Sequence, residues 1–323
     1  MHHAIILGMK ISEINEFELI DKLNEMCREY SGTGTVLAVG DDCAVLKSTS
    51  DYSVMTTDTL VENVHYILPC DRYLLGRKAL AVNLSDVAAM GGIPRHALVS
   101  LGLKGDTEVD DILSLYRGIC SIGRENGCDI IGGNLTGSAT EFISITVLGD
   151  CSGRSLRRNE AQEGDLVCVT GHVGAAAAGM NMLFAGEDVP AVLSNAFQDP
   201  VPRVREGQEL VKAGCHAAID ISDGLFDDLG HICSASGKGA DMYLDRLPLR
   251  DEAVQRYGEK ALHYALYGGE DYELIFTIPE KDAKKLSFDY SVIGKITDSH
   301  EGVILLDKDG KEIKDQTGWR HFG

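Results

Sequence analysis

Four short acidic motifs in this chain of 323 residues lie among glycines or other small residues. They are Gly40–Asp42, Thr56–Asp58, Asn83–Asp86 and Asp220–Gly224. A carboxylate that ends a strand or opens a helix, beside residues that let a ligand approach the backbone, suits a Mg²⁺ ion that carries polyphosphate. Two carboxylates about 4 Å apart repel by roughly 4 kcal/mol at an effective dielectric near 20, so converging several of them without a cation would cost stability. We therefore interpret the four motifs together as a multi-metal nucleotide site.

Each motif taken alone also fits a purely structural role. Asp, Ser and Asn are favoured at helix N-termini, and Gly commonly ends helices. Caps and turns are the better explanation for any single motif, and a much weaker one for all four together.

Composition and charge narrow the class of protein. The chain contains 50 acidic and 30 basic residues, a formal net charge of −20, and 44% of its residues are hydrophobic. This predicts a globular protein with a sizeable core and two domains. The negative charge disfavours binding to nucleic acid or to an anionic membrane. No apolar run approaches the roughly 20 residues of a membrane span, and residues 1–10 lack a signal-peptide pattern, so we expect a cytoplasmic location.

The nine cysteines give no sign of a zinc site. None forms a Cys-x-x-Cys pair, and none has a histidine at zinc-ligand spacing. Several lie inside apolar runs, where a free thiol behaves as a small hydrophobic group. We expect most of them to be reduced and buried.

Apolar spacing and turn residues predict two successive α/β units, with a junction between Cys151 and Gly164. Helices are predicted at Glu16–Tyr30, Tyr73–Met90 and Val109–Asn126, from the Gly171–Gly179 turn with its Ala175–Ala178 run, and from Gly224 onward. Strands are predicted at Ser53–Thr57, His96–Leu103, Phe142–Leu148, Leu166–Thr170, His216–Ile221, Tyr272–Thr277 and Ser291–Ile296. The Gly171–Gly179 segment has the pattern of a phosphate loop, but no Gly-Lys-Ser/Thr follows it, so close helix packing explains it better.

Five strings in order along the chain resemble one enzyme family. They are GDDCAVL, TTDTLVENVHY, KALAVNLSDVAAMGGIP, DISDGLFDDLGHI and GGEDYELIFT, and they resemble the thiamine-monophosphate kinases of the aminoimidazole ribonucleotide synthetase-like superfamily. The resemblance implies a two-domain α/β fold: an N-terminal domain, residues 9–150, whose mixed sheet pairs with its twin in a dimer barrel, and a C-terminal α/β domain, residues 151–323. It further implies a homodimer that transfers a phosphoryl group from ATP to thiamine monophosphate with several Mg²⁺ ions.

The same resemblance assigns roles to individual residues. The implied metal ligands are Asp42, Thr56, Thr57, Asp58, Asp86, Asn134, Asp220 and Asp223. The implied ATP contacts are Tyr116, Gly133, Asn134, Arg158 and Ser222, and the implied substrate contacts are His65, Glu270 and Trp319. Arg158 and Asp220 are the implied catalytic residues, acting by charge stabilisation with no covalent nucleophile. A guanidinium suits a transferring phosphoryl group, an indole can stack on a heteroaromatic ring, and a carboxylate can face the thiazolium cation of thiamine.

One position departs from the family pattern. The family usually has Gly-Gly-Asp where this chain has Gly132, Gly133 and Asn134. An amide oxygen still coordinates but attracts a cation less than a carboxylate does, so we expect weaker binding of one Mg²⁺.

Two alternative functions remain open at this stage. The first is a non-catalytic Mg-nucleotide-binding protein, suggested by Asn134 and the acidic excess. The second is another ATP-dependent synthetase of the superfamily that acts on a different acceptor. Two of those enzymes need a reactive cysteine. Cys43 lacks the glycines and basic neighbour that would activate a thiol, and the end of the chain, Trp319–Gly323, carries none.

Overall fold

The computed structural model describes residues 35–37, 42–47 and 52–313. The helix predicted at Glu16–Tyr30 and the substrate contact predicted at Trp319 lie outside these residues, as do Gly40 and Asp41 of the first acidic motif. Among the described residues, no helix is both long enough and apolar enough to cross a membrane.

The first sheet has six strands in the order β1-β2-β3-β6-β4-β5. These strands are β1 (Thr35–Leu37), β2 (Ala44–Lys47), β3 (Tyr52–Val61), β4 (Ile93–Leu103), β5 (Asp129–Gly137) and β6 (Phe142–Cys151). All pairs are antiparallel except β4 with β5, which run parallel. Along β6 every second residue is buried, and in the middle of β3 exposed residues alternate with buried or half-buried ones, which is the pattern of a sheet with one face against a core.

Two long helices cover the buried face of this sheet. Helix α1 (Arg72–Ala89) begins at Asp71, whose carboxylate accepts hydrogen bonds from two backbone N–H groups of the first turn. Helix α2 (Val109–Asn126) ends at Gly127 in the left-handed conformation. The two helices approach closely at Gly76, where an added Cβ would lie 2.0 Å from the backbone oxygen of Leu115. Helix α1 is buried on nearly all sides because it also contacts the second half of the molecule.

The second sheet has seven strands in the order β13-β12-β9-β11-β7-β10-β8. These strands are β7 (Leu166–Thr170), β8 (Ala217–Asp220), β9 (Gly239–Tyr243), β10 (Leu274–Ile278), β11 (Tyr290–Thr297), β12 (Gly302–Leu306) and β13 (Glu312–Ile313). Strand β12 is parallel to β9, and the other pairs are antiparallel. Strands β8 and β10 are buried along their whole length, because both faces of the sheet are covered.

Helices and short turns connect the strands of this second half. The helices are α3 (Ala175–Phe184), α4 (Ala191–Gln198), α5 (Val204–Ala213), α6 (Leu225–Ser236), α7 (Asp251–Tyr257), α8 (Lys260–Tyr267) and α9 (Glu280–Ala283). Helix α6 packs on one face of the sheet with Ile219 and Ile275, while Ala218 and Phe276 face a core shared with α1 and the first sheet. Helix α1 therefore joins the two halves.

The fold confirms the α/β class that the sequence predicts, and it corrects the bounds of several elements. The strand predicted to stop at Thr57 continues through Asp58 to Val61, because β6 pairs with β3 along all ten residues. The strand predicted to start at Tyr272 starts at Leu274, because Glu270 and Tyr272 adopt positive φ angles. Strand β5 has no counterpart among the predicted elements.

Candidate active site

One face of α1 provides several side chains of the site. Asn83 Oδ1 accepts a hydrogen bond from the Asp58 backbone N–H at 3.0 Å, and Asn83 Nδ2 donates to the Ala79 backbone oxygen at 3.1 Å. Asn83 thereby fixes the middle of β3 against the helix. Ser85 and Asp86 follow on the next positions of the helix and face the end of β8.

Three carboxylates from distant parts of the chain meet at this face. Asp42, from the segment before β2, Asp86 from α1 and Asp220 from the end of β8 each place a carboxylate oxygen within 4.8 Å of the other two. We call this group the carboxylate cluster. The Thr56 hydroxyl donates to Asp86 Oδ2 at 2.5 Å, and the Ser85 hydroxyl donates to Asp220 Oδ2 at 2.6 Å.

Burial and mutual repulsion dominate the electrostatics of the cluster. Burial raises the pKa of Asp86 well above its ordinary value, and the charges of Asp220 and Asp58 raise it further. Burial also raises the pKa of Asp220, with an added contribution from Asp42. The pKa of Asp58 is raised by burial, although a hydrogen bond with Asp86 opposes the shift. The ionised cluster therefore requires positive charge.

Arg158 supplies part of that charge. Its Nη2 donates to Asp42 Oδ1 at 2.6 Å, and its Nε lies 3.4 Å from Asp42 Oδ2. A single guanidinium does not balance three converging carboxylates. Buried carboxylate and hydroxyl oxygens are the hard donors that Mg²⁺ prefers, so these residues fit that ion.

The loop after β8 presents the last acidic motif at the start of α6. Three successive backbone N–H groups, those of Ser222, Asp223 and Gly224, each donate to Asp228 Oδ2 at 3.1 Å. Gly224 has φ 132°, and a Cβ there would lie 2.7 Å from the Leu266 backbone oxygen. Asp228 thus shapes the loop that carries Ser222 and Asp223. Asp223 lies within 4.8 Å of ligand atoms of Asp228 and His231.

Glu270 lies on a turn packed against that same loop. Its backbone N–H donates to the Ser222 oxygen at 2.9 Å, and its φ of 65° is in the left-handed region. The Glu270 carboxylate forms an ion pair with Lys78 of α1, with 2.5 Å between Oε2 and Nζ. Its other oxygen lies 3.4 Å from the Tyr272 hydroxyl.

A cavity of about 290 Å³ adjoins this ion pair. It lies between the β3–α1 connection, α1 and the α3–α4 region, and its walls include His65, Leu74, Lys78, Phe184 and Phe197. His65 Nδ1 accepts a hydrogen bond from the Val61 backbone N–H at 3.0 Å, which orients the ring. The structure therefore places His65 and Lys78 in one cavity wall and Glu270 next to it.

Some residues named by the resemblance are not brought to the cluster. The Thr57 side chain lies on the opposite face of β3 from Asp58, donating to the Ile145 backbone oxygen and accepting from Thr146. Gly133 of β5 pairs with Val99 of β4. Val99 pairs in turn with Ile145 of β6, and Ile145 pairs with Asp58 of β3. Three strand spacings, about 14 Å, therefore separate Gly133 from Asp58 within one chain.

Asn134 is the next residue on β5, on the exposed face of the sheet, paired with Ser100. Gly133 has a packing reason of its own, because a Cβ there would lie 1.8 Å from the Val99 oxygen. Tyr116 is half-buried on α2 and packs against the core of the first half. The ATP contacts at these three positions stay predictions.

Sequence reasoning missed two residues of the site, Lys78 and Asp228. Lys78 is the one charge within the string KALAV, and a lysine inside an apolar helical run is a detectable signal for a buried ion pair. Asp228 lies four residues after Gly224, within the first turn of α6, where an acidic residue can accept hydrogen bonds from free N–H groups.

Comparison with known proteins places this arrangement in a family. Residues 40–151 match the model of the N-terminal domain of AIR synthase related proteins, and residues 162–307 match that of the C-terminal domain. Thiamine-monophosphate kinase of Aquifex aeolicus (strain VF5) is 34% identical over 321 residues, covering 97% of this chain and 100% of the relative. That of Escherichia coli (strain K12) is 36% identical, covering 95% of this chain and 98% of the relative.

A solved structure agrees with these relatives. AaThiL complexed with AMPPCP and TMP is 33% identical and superimposes with a TM-score of 0.87, covering 98% of this chain and 99% of the other. The shared sequence and fold extend over both sheets. The chain belongs to the thiamine-monophosphate kinase family of AIR synthase related proteins.

Proposed function

We propose that this protein transfers the γ-phosphoryl group of ATP to the phosphate of thiamine monophosphate, giving thiamine diphosphate and ADP. The observation that carries the proposal is the convergence of Asp42, Asp86 and Asp220 beside Arg158, on the same helix α1 that lines a cavity with aromatic rings in its wall. The full-length similarity to thiamine-monophosphate kinases supports the same reaction.

The reaction needs no nucleophilic side chain, because the acceptor phosphate oxygen is already anionic near neutral pH. Catalysis of in-line phosphoryl transfer consists mainly of positioning and charge stabilisation. Arg158 has a planar, forked set of donors that can hold two oxygens of a phosphoryl group. Its present partner, Asp42, keeps the guanidinium at the edge of the cluster.

The carboxylates would hold Mg²⁺, and the ion would neutralise the charge of the triphosphate. Asp42, Asp86 and Asp220 would be the central ligands, with Asp58 and Asp223 contributing from β3 and the β8–α6 loop. The Thr56 hydroxyl already contacts Asp86 and would add an oxygen. Ser85 would keep Asp220 oriented, because its hydroxyl donates to Asp220 Oδ2.

The substrate would bind with its rings at the cavity and its phosphate toward the cluster. His65 and Glu270 lie at the cavity, consistent with the substrate contacts implied by the resemblance. Trp319 would complete the contacts. The thiazolium ring carries a positive charge, which an adjacent carboxylate favours.

We further propose that the protein is a cytoplasmic homodimer with domains at 9–150 and 151–323. Strand β5 pairs with β4 along one edge, its side chains are almost all exposed, and Ile131 and Leu135 are 60% and 63% exposed. An exposed apolar edge strand favours pairing with another chain. Because Gly133 and Asn134 lie three strands from Asp58, ATP contacts at these positions would serve the site of the second protomer.

An assay of ADP release tests the proposal. The protein should release ADP from ATP and Mg²⁺ when thiamine monophosphate is added, and not when thiamine alone is added. ATP binding without ADP release would favour a non-catalytic nucleotide-binding protein instead. ADP release with a different acceptor alone would favour another synthetase activity.

A further inference from the structure

We propose that Lys78 is a positioning residue of the substrate site, which holds the Glu270 carboxylate at the inner end of the cavity so that it faces the cationic ring of the substrate. This inference rests on the proposed function and deepens it. Three observations support it: the contacts of Lys78, the conformation of Glu270, and the position of the pair between the cavity and the carboxylate cluster.

Lys78 is almost completely buried, with 2% of its surface exposed. Its Nζ lies 2.5 Å from Glu270 Oε2 and 3.5 Å from the centre of the Phe197 ring. Among the described residues, no other acceptor contacts the ammonium group. Burial lowers the pKa of the Lys78 ammonium group, and the charge of Glu270 opposes this shift. The carboxylate and the ring face are therefore the contacts that favour the charged form in an apolar wall.

Glu270 is held from the other side by its backbone. Its positive φ is fixed by the hydrogen bond to Ser222, and the preceding Gly269 approaches Ser222 so closely that a Cβ would lie 2.3 Å from its oxygen. The side chain is 20% exposed, so one edge of the carboxylate stays open. Lys78 therefore determines which way this edge points.

The Lys78–Glu270 pair would lie between the ring end and the phosphate end of the bound substrate. Along α1, Ser85 and Asp86 follow Lys78 by two helical turns, which places them about 11 Å further along the axis. The charge of Glu270 reaches Asp58, whose pKa it raises. Glu270 thus lies between the cavity, with Phe184 and Phe197 in its wall, and the cluster that would receive the phosphates.

Stability alone does not account for the pair. A buried ion pair is often no more stabilising than two apolar side chains of similar size, because both charges must be removed from water. The residues that follow it, Ala79, Leu80 and Ala81, show that this turn of α1 otherwise buries apolar groups. A lysine here is explained by what its charge does to Glu270.

Steady-state kinetics of Lys78→Met test the inference, with Lys238→Met as the matched control. Lys238, just before β9, forms an ion pair with Asp298, just after β11, at 2.6 Å, and neither residue lines the cavity. In Lys78→Met we expect the KM for thiamine monophosphate to rise at least tenfold, while the KM for ATP stays within twofold of wild type. Lys238→Met should leave both KM values within twofold.

The double variant Lys78→Met with Glu270→Gln separates positioning from folding. Removing both buried charges should raise the unfolding midpoint above that of Lys78→Met alone, while the KM for thiamine monophosphate stays at least tenfold elevated. A Lys78→Met enzyme with an unchanged KM and only a lower kcat would overturn the inference, as would a wild-type KM in the double variant. If the wild-type protein shows no turnover with thiamine monophosphate, the proposed function fails first and takes the inference with it.

Discussion

Two regions of this protein bury carboxylates in different ways. Glu141, 1% exposed, accepts hydrogen bonds from both terminal nitrogens of Arg72 and from the Tyr66 hydroxyl at 3.0 Å. Asp220, 3% exposed, has the Ser85 hydroxyl as its donor and two further carboxylates within 4.8 Å. Among the described residues, Arg72 neutralises the first group, whereas Arg158 balances only part of the charge of the second.

The difference separates a structural use of buried charge from a functional one. Glu141 and Arg72 connect the start of α1 to the start of β6. Removing Arg72 would take away the cation that neutralises the buried Glu141, and removing Glu141 would leave Arg72 with the exposed Asp111, 3.5 Å from its Nε. The carboxylate cluster instead accumulates negative charge that Arg158 balances only in part. Such a cluster is stable when a cation from solution binds it, which is the property a metal-dependent kinase needs.

The largest expected effect concerns activity at the cluster. Asp220→Asn should lower kcat for ADP release at least a hundredfold at limiting Mg²⁺, because a neutral amide attracts the cation less than a carboxylate. The Ser85 hydroxyl can still donate to the amide oxygen, so the fold should persist. An unchanged turnover at limiting Mg²⁺ would show that Asp220 does not hold the metal.

The corresponding substitution of Glu141, the carboxylate that Arg72 neutralises, should lower stability. Glu141→Gln should lower the free energy of unfolding by about 3 kcal/mol, because Arg72 loses its buried countercharge and keeps only the exposed Asp111 at 3.5 Å. Asp220→Asn, measured without divalent ions, should not destabilise the protein, since it relieves repulsion. Denaturant titrations of both variants would check this, and a comparable loss in both would remove the distinction between the two regions.

Adding and removing Mg²⁺ should change stability through the carboxylate cluster and not through the Glu141–Arg72 pair. Mg²⁺ at a hundred times its dissociation constant should stabilise the wild-type protein by about 2.7 kcal/mol, and a chelator should reverse the effect. Asp86→Asn should reduce this gain, whereas Glu141→Gln should keep it. Thermal unfolding at several Mg²⁺ concentrations gives the measurement, and the absence of any shift in wild type would contradict the metal site.

Asp271 is a third buried carboxylate, and its hydrogen-bond donors are backbone N–H groups. It accepts hydrogen bonds from the backbone N–H groups of Gly174 and Ala176 at the start of α3, at 2.6 and 3.0 Å, and burial raises its pKa to about 7. The folded protein therefore retains a proton that the unfolded chain loses near pH 4, so stability falls as pH rises from about 4 to 7.

Asp271→Asn should remove this dependence. In saturating Mg²⁺, the free energy of unfolding of the variant should fall less steeply between pH 5 and 7 than that of wild type, by up to about 1.4 kcal/mol per pH unit. Denaturant unfolding at pH 5, 6, 7 and 8 would measure the two slopes. Equal slopes would mean that Asp271 titrates in the folded protein as it does in the unfolded chain.

The smallest expected effect is at Asn134, which is exposed on β5. Asn134→Asp restores the charge usual in the family, so we expect a few-fold lower Mg²⁺ concentration for half-maximal activity, with stability unchanged. Because the side chain is exposed, we expect this substitution to change the Mg²⁺ dependence of activity and to leave the stability unchanged. A shift in the unfolding midpoint without a change in the Mg²⁺ requirement would contradict this assignment.

The elements that the sequence predicted well are those whose pattern is local. Helix α2 and strand β7 have the predicted bounds, and α1 differs by one residue at each end, because amphipathic spacing and glycine stops are read within a few turns. Strand β5 was missed because its sequence, DIIGGNLTG, is rich in glycine and has no alternating pattern. It becomes a strand through its pairing with β4.

Among the cysteines, the prediction of burial is confirmed for Cys43, Cys128, Cys151, Cys168, Cys215 and Cys233. Burial raises the pKa of Cys168 to about 12, so this thiol is inert at neutral pH. Cys120 is exposed, because its position on α2 faces away from the core, which composition alone does not indicate.

By itself, the sequence determined the chemistry available: the acidic motifs, their order, the negative charge and the resemblance to one kinase family. Tertiary structure decided which of those groups act together. The pleat of β3 sends Thr56 and Asp58 toward α1 and Thr57 to the other face. Packing of α1 between the two sheets brings Asp86 to Asp42 and Asp220, and Lys78 to Glu270. These contacts join residues far apart in the chain, so they depend on strand register and helix packing that no local pattern specifies.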